Sequence, residues 1–447
     1  MHRTIIIAVF FSLFNSCSSK YLLIESKTTG HSSEVEKINK QLSFSEIVME
    51  EKDIKNFSSK AEIYLEDLIE VAKSLNPQIN EARKAFCAAE GRIRQAGLYS
   101  NPIISYEMED IPGSNFDFSK GKNTVSITQP IIFGKSRLRS IEEASLNRDI
   151  LFLTFLNKSR ESLLGVHLAY LELLYLKEVK QLYRDLLTLS RKNNEMVQIR
   201  FNAKVIPETD VFKAEMKVHE LEMCEKKIQL RHMIVSSHLS ALMGDVSVTV
   251  ENIKGKLFKE FPSFSLGQLI SILKKSDPEI LSKKKQIEAA EKHLEQLKSE
   301  RLSVVDVFGA FSQNREEDKN TFTAGISFPL PVFDRNQGKI SEARYLIEQA
   351  KEHLASCVLN QTQIIKVLYS EYQSLKNNFS VYSNTLEPGA SKVFNQSLDA
   401  FHAGRIGISD LIESQNTLAE IRIRVLEILW NMNIAYVRVT RLAGMKL

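Results

Sequence analysis

The chain repeats itself. At an offset of 201 residues, Leu65–Ile79 (LEDLIEVAKSLNPQI) aligns with Leu266–Ile280 (LGQLISILKKSDPEI). Ala88-Ala89-Glu90 and Gln95 then meet Ala289-Ala290-Glu291 and Gln296. At an offset of 200, Phe201, Ala203, Ile206, Asp210, Glu220 and Gly244 meet Phe401, Ala403, Ile406, Asp410, Glu420 and Gly444. Self-similarity at one long period means one structural unit used twice. A length of 447 residues would by itself suggest about three domains; the repeat replaces them with two copies of one plan.

Each copy reads alike. A helix starts with proline near its first turn, where the missing N–H costs nothing (77–99 and 278–301). Two short alternating stretches follow (103–109 and 123–131; 304–312 and 321–329). A very long helix comes next (138–200; 340–402), then a break, then a helix of about 37 residues (207–243; 407–443). With 17 Gly and 10 Pro, the chain holds about half the usual share of turn-formers, as long elements require.

In the second long helix Ile340, Ala343, Ile347, Ala350, Leu354, Cys357, Ile364, Leu368, Tyr372, Leu375, Phe379, Tyr382 and Leu386 step mostly by three and four. That is a coiled-coil-like seam, which Pro388-Gly389 should kink. The first long helix carries a looser version in Leu163, Val166, Tyr170, Leu173, Val179, Leu182, Leu186 and Leu189. At ~1.5 Å per residue the long helix spans roughly 93 Å, about what the two shorter ones reach when stacked end to end. The fold class is mainly α with a small β part: long helical hairpins in tandem, four strands gathered at one end.

The strands alternate. Ile104, Tyr106 and Met108, then Val125 and Ile127, then Phe322, Ala324, Ile326 and Phe328 are separated by polar or small residues. The remaining strand is less clean, with Val305, Val307 and Phe311 on one face and Phe308 among the polar residues of the other. Such alternation suits a sheet between lipid and water, and equally a soluble sheet packed on helices. Four strands cannot close alone, and open edges are not tolerated in lipid, so a membrane reading demands an oligomer. Three copies supply twelve strands, an even number that a barrel can use.

Several classes are excluded. No apolar run approaches ~18 residues, so no spanning helix is encoded. The net charge is +4, Lys and Glu alternate, and no basic block carries interleaved aromatics, which leaves nucleic acid without a footprint. The nine histidines form no i,i+4 pair and no HExxH; no phosphate loop or dinucleotide fingerprint occurs. No catalytic group, metal site or cofactor is expected, and the chain reads as a non-enzyme. At the N-terminus, His2 and Arg3 precede the apolar run Ile5–Phe14 and then Asn15-Ser16-Cys17, the parts of an export signal. Cys17 after Leu13-Phe14-Asn15-Ser16 resembles the lipidated first residue of a bacterial lipoprotein. Cys87, Cys224 and Cys357 are too far apart for a disulfide framework and read as buried small hydrophobes.

Specific residues carry a family resemblance. Asn76-Pro77-Gln78-Ile79, Ala88-Ala89-Glu90, Gln95-Ala96-Gly97-Leu98, Asn101-Pro102, Gln129-Pro130 and Phe133-Gly134 resemble the opening of a TolC-like outer membrane efflux repeat. Pro329–Ala343 (PLPVFDRNQGKISEA) is similar to the heavy-metal and cation branch of that family, and Phe401–Ile412 (FHAGRIGISDLI) to its tip segment. The resemblance spans about residues 60–446.

It implies a homotrimeric outer membrane duct with a 12-stranded barrel and a helical tunnel reaching into the periplasm. A periplasmic adaptor (membrane fusion) protein and an inner-membrane pump of RND or similar type would be its partners, with metal cations or small toxic compounds as cargo. On that plan residues 1–16 are the signal peptide, 17–60 an extended, lipidated segment, 61–246 and 265–447 the repeats and 247–264 an equatorial linker. The breaks at 201–207 and 401–407 become adaptor-docking tips (Ala203, Lys204, Ile206; Ala403, Gly404, Arg405, Ile406), and loops 110–122 and 314–319 face outside. Asp410 and Glu413 match an acidic pair that narrows the family's pore, where crowded carboxylates would attract cations. Acidic residues also simply favour helix N-termini. The first tip keeps Asp210 but has Lys213 opposite Glu413 and Lys204 opposite Gly404. Phe401 stands where some relatives carry a tethering Tyr, and Arg405 is one place off their Arg, which leaves that tether open. The alternative is a coiled-coil scaffold, exported or cytoplasmic, without a pore.

Overall fold

The computed structural model describes residues 62–111, 121–132, 134–244, 253–258, 264–300 and 304–442. Every described residue lies within one compact unit, Met49–Leu447. The signal segment, Cys17, the segment to 60, Phe133, Gly444, most of loop 110–122 and much of linker 247–264 lie outside the described residues.

The two copies are evident in the element order. The first runs α1 (Leu65–Leu75), α2 (Pro77–Ala96), β1 (Ile103–Glu109), β2 (Lys122–Ile132), α3 (Ser136–Asn202) and α4 (Glu208–Met243). The second runs α5 (Leu266–Ser276), α6 (Pro278–Ser299), β3 (Val304–Asn314), β4 (Lys319–Ser327), α7 (Gln337–Val381), α8 (Glu387–His402) and α9 (Ile408–Leu442). At 67 residues α3 is about 100 Å long. The four strands form one antiparallel sheet in the order β1-β2-β3-β4, so β2–β3 pairing joins the copies into a single surface.

The repeated LEDLIEVAKSL and LGQLISILKKS stretches are helices in their own right, α1 and α5, which the sequence reading left unassigned. What separates each from the next helix is one residue before proline. Pro77 keeps Asn76 out of the helical region (φ −59°, ψ 121°). The Asn76 Oδ1 then accepts from the N–H groups of Gln78 (2.9 Å) and Ile79 (3.1 Å), capping α2. Asp277 does the same for Glu279 and Ile280 at 3.1 and 3.0 Å.

These junctions also stack the helices end to end, as the lengths require. Asn76 Nδ2 donates to the Leu242 carbonyl at 2.6 Å, tying the end of α4 to the start of α2. Gly244 closes α4 with φ +91°; a Cβ there would lie 2.5 Å from the Leu75 carbonyl oxygen. The Asp277 side chain has no N–H to give, and the second copy solves the same problem with a third residue. Arg160 on α3 places Nη1 3.6 Å from Asp277 Oδ2 and donates through Nη2 to the Arg441 carbonyl at the end of α9. Burial raises the Asp277 pKa, against the pull of the Ile280 N–H and of Arg160; burial likewise lowers that of Arg160.

α3 is the spine, packing on α2 and α4 of its own copy and on α6 and α9 of the other. Its seam is buried as the heptads foretell from Leu163 to Leu186. In α7 the seam needs correcting: Ile365 is fully buried, while Ile364 is 44% exposed. Both are isoleucines one residue apart, and only the partner helix decides between them. Pro388 does not end the helix. A π turn at Tyr382–Leu386 precedes it and the chain continues into α8. The wider turn accommodates a proline that lacks an N–H and would crowd the carbonyl four residues earlier. Beyond Tyr372 the seam is only half-buried at Leu375, Phe379 and Tyr382, and Leu386 is 39% exposed. Of the described cysteines, all free, only Cys357 is buried; Cys224 is intermediate and Cys87 exposed, because α2 turns that face to solvent.

The described part of the linker, 253–258, is held as if it were a strand. Ile253 bridges Ile63, Lys254 N donates to the Ile63 carbonyl (2.9 Å), and the Tyr170 hydroxyl donates to the Lys254 carbonyl (2.7 Å). The buried Asn433 amide both donates to and accepts from the Phe258 backbone, at 3.1 and 3.0 Å. Gly255 sits between them at φ +148°, and a Cβ there would collide with the Tyr170 hydroxyl. Gly255→Ala should therefore cost about 1–3 kcal/mol in denaturant unfolding. Adding Tyr170→Phe should return part of that loss.

Candidate functional site

Two regions carry the sequence-predicted functional residues: the sheet and the helix tips. In the sheet, register aligns side chains of one kind in rows. Tyr106, Val125, Phe311 and Phe322 lie side by side across all four strands, and Ile104, Ile127, Gly309 and Ala324 form the next row. On the opposite face Ser105 bonds Ser126 (2.8 Å) and Thr124 bonds Ser312 (2.9 Å). Phe308 does belong to this polar face, and it lies over Gly325, where an added Cβ would stand 2.6 Å from the ring. The glycine makes room and the ring covers it.

The apolar rows are uncovered. Ile104 is 73% exposed, Phe322 76% and Ile326 67%, with Tyr106, Val125, Phe311 and Val307 also exposed. Burying such a side chain is worth ~1.5–3 kcal/mol, so the face forgoes on the order of 10 kcal/mol. That is comparable to the whole stability of a typical domain, ~5–15 kcal/mol. A soluble sheet would hide these rows against its helices, and this one does not. No described helix is long and apolar enough to cross a membrane.

At the other end of the helices two turns share one geometry. The Lys204 N–H donates to Phe201 O (2.8 Å) and Val205 N–H to Arg200 O (3.0 Å); Gly404 N–H donates to Phe401 O (3.0 Å) and Arg405 N–H to Ala400 O (2.8 Å). Each is a paired-bond helix ending with its central residue left-handed: Lys204 at φ +60°, Gly404 at +70°. Ala203, Lys204, Ala403, Gly404 and Arg405 are exposed, and Ile206 and Ile406 half-buried. Both turns rest on one core of Val197, Val211, Phe394, Phe401, Ile408 and Leu411.

Asp410 and Glu413 are both exposed on the first turns of α9. Asp410 Oδ2 accepts from the Gly407 N–H at 3.3 Å, so this carboxylate caps its own helix. The Glu413 carboxylate makes no hydrogen bond or ion pair among the described residues. Together they line a shallow cavity of about 480 Å³ with Thr385, Leu386 and Gly389, so the acidic pair faces the π turn. The first tip is arranged differently: Lys213 Nζ reaches across to Ser409 Oγ (2.9 Å) on α9 and lies 3.5 Å from Asp210.

One residue of consequence escaped the sequence reading. Arg200, in the last turn of α3, donates to the Phe401 and His402 carbonyls at 2.8 and 3.1 Å and lies 4.7 Å from the centre of the Phe401 ring. It links the two tips through backbone carbonyls and a ring face, with no tyrosine hydroxyl involved. A basic residue at a helix C-terminus was the available signal, a weak one. The buried Gln415, donating to Ser190 Oγ at 2.8 Å, adds a second tie between α9 and α3.

The sequence profile of outer membrane efflux proteins matches residues 269–445. The cobalt-zinc-cadmium resistance protein CzcC of Cupriavidus metallidurans is 24% identical over 382 residues, covering 85% of this chain and 90% of that protein. Among solved structures, the outer membrane protein VceC of Vibrio cholerae matches with a TM-score of 0.71 at 14% identity, over 85% of this chain and 96% of its own. CusC, described as forming a transmembrane channel, matches with a TM-score of 0.72 at 12% identity, over 86% and 92%. The second copy and the fold of the whole thus have relatives among outer membrane channels.

A non-glycine residue held left-handed costs ~1 kcal/mol or more, and Gly404 shows the turn works without a side chain. Lys204→Gly should raise stability by about 1 kcal/mol in denaturant unfolding, and Gly404→Lys should lower it by a similar amount.

Proposed function

We propose that this chain, whose second half belongs to the outer membrane efflux protein family and whose fold is that of TolC-like channels, is the passive exit duct of a tripartite efflux system. The observation that carries the reading is the uncovered apolar sheet face. β1 and β4 are unpaired edges and the outward rows are exposed, so lipid outside and two further copies at the edges satisfy both demands at once. Along α4, Phe212, Met216, Met223, Leu230 and Met233 stay exposed at mostly heptad spacing, a seam for a neighbouring helix. A homotrimer then closes a 12-stranded barrel above a helical tunnel in the periplasm, with residues 61–246 and 265–447 as its two repeats, 247–264 as the equatorial linker and loops 110–122 and 314–319 outside. A scaffold without a pore leaves the apolar face with no occupant.

In this arrangement residues 1–16 direct export and Cys17 carries the lipid anchor. The turns at Ala203, Lys204 and Ile206 and at Ala403, Gly404, Arg405 and Ile406 receive the periplasmic adaptor. An inner-membrane pump of RND or similar type supplies energy. Asp410 and Glu413 from three copies form stacked carboxylate rings that narrow the tip. The resemblance to a cobalt-zinc-cadmium resistance protein favours metal cations among small toxic cargoes. No group of three or more His, Cys, Asp or Glu gathers as a metal site among the described residues. Cations would therefore pass by charge attraction, and the pump would select them.

The double variant Asp410→Ala plus Glu413→Ala should raise single-channel conductance in planar bilayers. Block by multivalent cations should weaken by about fivefold, the equivalent of ~1 kcal/mol. Unchanged conductance and block would remove the gate assignment. Fractionation with crosslinking should find an outer membrane trimer; a soluble dimer would replace the duct with the scaffold.

A further inference from the structure

We infer that the β4–α7 connection is a lipid anchor of its own: a knuckle at Phe328–Phe333, flanked by Leu98 and Tyr99, that beds into the phospholipid leaflet on the helix side of the sheet. This rests on the membrane-barrel reading above and adds a contact outside the strands.

The exposed apolar face does not stop where β4 stops. Phe328 continues it by parity at 50% exposure, followed by Leu330 (72%), Val332 (57%) and Phe333 (91%). Leu98 and Tyr99, before β1, add 58% and 54% at the same end of the sheet. Phe333, so nearly free of contact with its own chain, is the most exposed large apolar side chain described.

The backbone of this knuckle is partly relieved of its need for water. Pro329 and Pro331 have no N–H to desolvate. Val332 N–H donates to the Leu330 carbonyl at 2.8 Å. Arg335 Nε donates to the Pro331 carbonyl (3.2 Å) and Gln337 Nε2 to that of Phe333 (3.0 Å). These features lower, without removing, the desolvation cost of bringing four exposed apolar side chains to a bilayer interface.

The surrounding charge suits headgroup phosphates. Arg335 and Lys339 follow the knuckle, the intervening Asp334 accepts from the Asn336 N–H at 2.8 Å, and Arg137 stacks over the Tyr99 ring at 4.3 Å while donating to the Gly97 carbonyl. An aromatic ring with a cation above it is the usual arrangement at the membrane–water boundary.

Trp430 is the sole tryptophan, so a Trp430→Phe background makes single-tryptophan reporters possible in the full chain. In that background, Phe333→Trp and Leu330→Trp are reconstituted into phosphatidylethanolamine–phosphatidylglycerol vesicles, with Phe322→Trp on the sheet as reference. The expected result is blue-shifted emission at both knuckle positions, quenched by lipids brominated near the headgroup and shielded from aqueous iodide. Emission at Phe333→Trp and Leu330→Trp that iodide quenches, with Phe322→Trp quenched by bromolipid, overturns the anchor and leaves the barrel standing. Protection from both quenchers places a second copy of the chain on the knuckle and overturns it too. Absence of bromolipid quenching at Phe322→Trp overturns the barrel and the anchor together.

Discussion

A four-stranded sheet has two edges, and each edge is a row of backbone N–H and C=O groups with nothing to bond. In water such an edge is a hazard; in lipid it is prohibitive. The remainder of this molecule is organised around that constraint. One face of the sheet is apolar and exposed, the other is hydroxyl-rich, and β1 and β4 each have one unpaired edge. One chain therefore leaves two sheet edges unpaired, and α4 likewise leaves an exposed apolar stripe.

The helical part obeys a second accounting rule, that helix ends buried in a stack must find partners. The two copies meet it with different chemistry. Asn76 caps one helix and donates to the end of another within a single side chain. Asp277 can only accept, so Arg160 is recruited from α3 and bonds the Arg441 carbonyl in its place. A change of one atom type at a repeated position thus required a third residue more than a hundred positions away. Similarity of fold between the copies conceals a difference in what holds them.

The tips diverge in the same manner. Identical turn geometry carries Gly404 in one and a strained Lys204 in the other, and Lys213 spans to Ser409 where the second copy has the acidic Glu413. The acidic pair is itself divided: Asp410 caps its helix, while Glu413 is left to face the cavity beside the π turn. The two readings that the sequence left open for these carboxylates, helix capping and pore charge, are thus each compatible with one member of the pair.

Periodicity and repetition are local properties, so the sequence alone determined the two copies, the long helices, the four strands with their alternating faces, and the place of each break. Proline before a helix and glycine at a turn act on the adjacent peptide units, which is why those positions were legible as well. Tertiary structure decided whatever depended on a partner. It chose Ile365 over Ile364, exposed Cys87, turned the Pro388 break into a π turn, laid Phe308 over Gly325 and brought Arg200 to the Phe401 carbonyl. Above all it left the apolar face of the sheet bare. Alternation says that a strand has an oily side; only the packing of the other elements says whether the protein itself covers it.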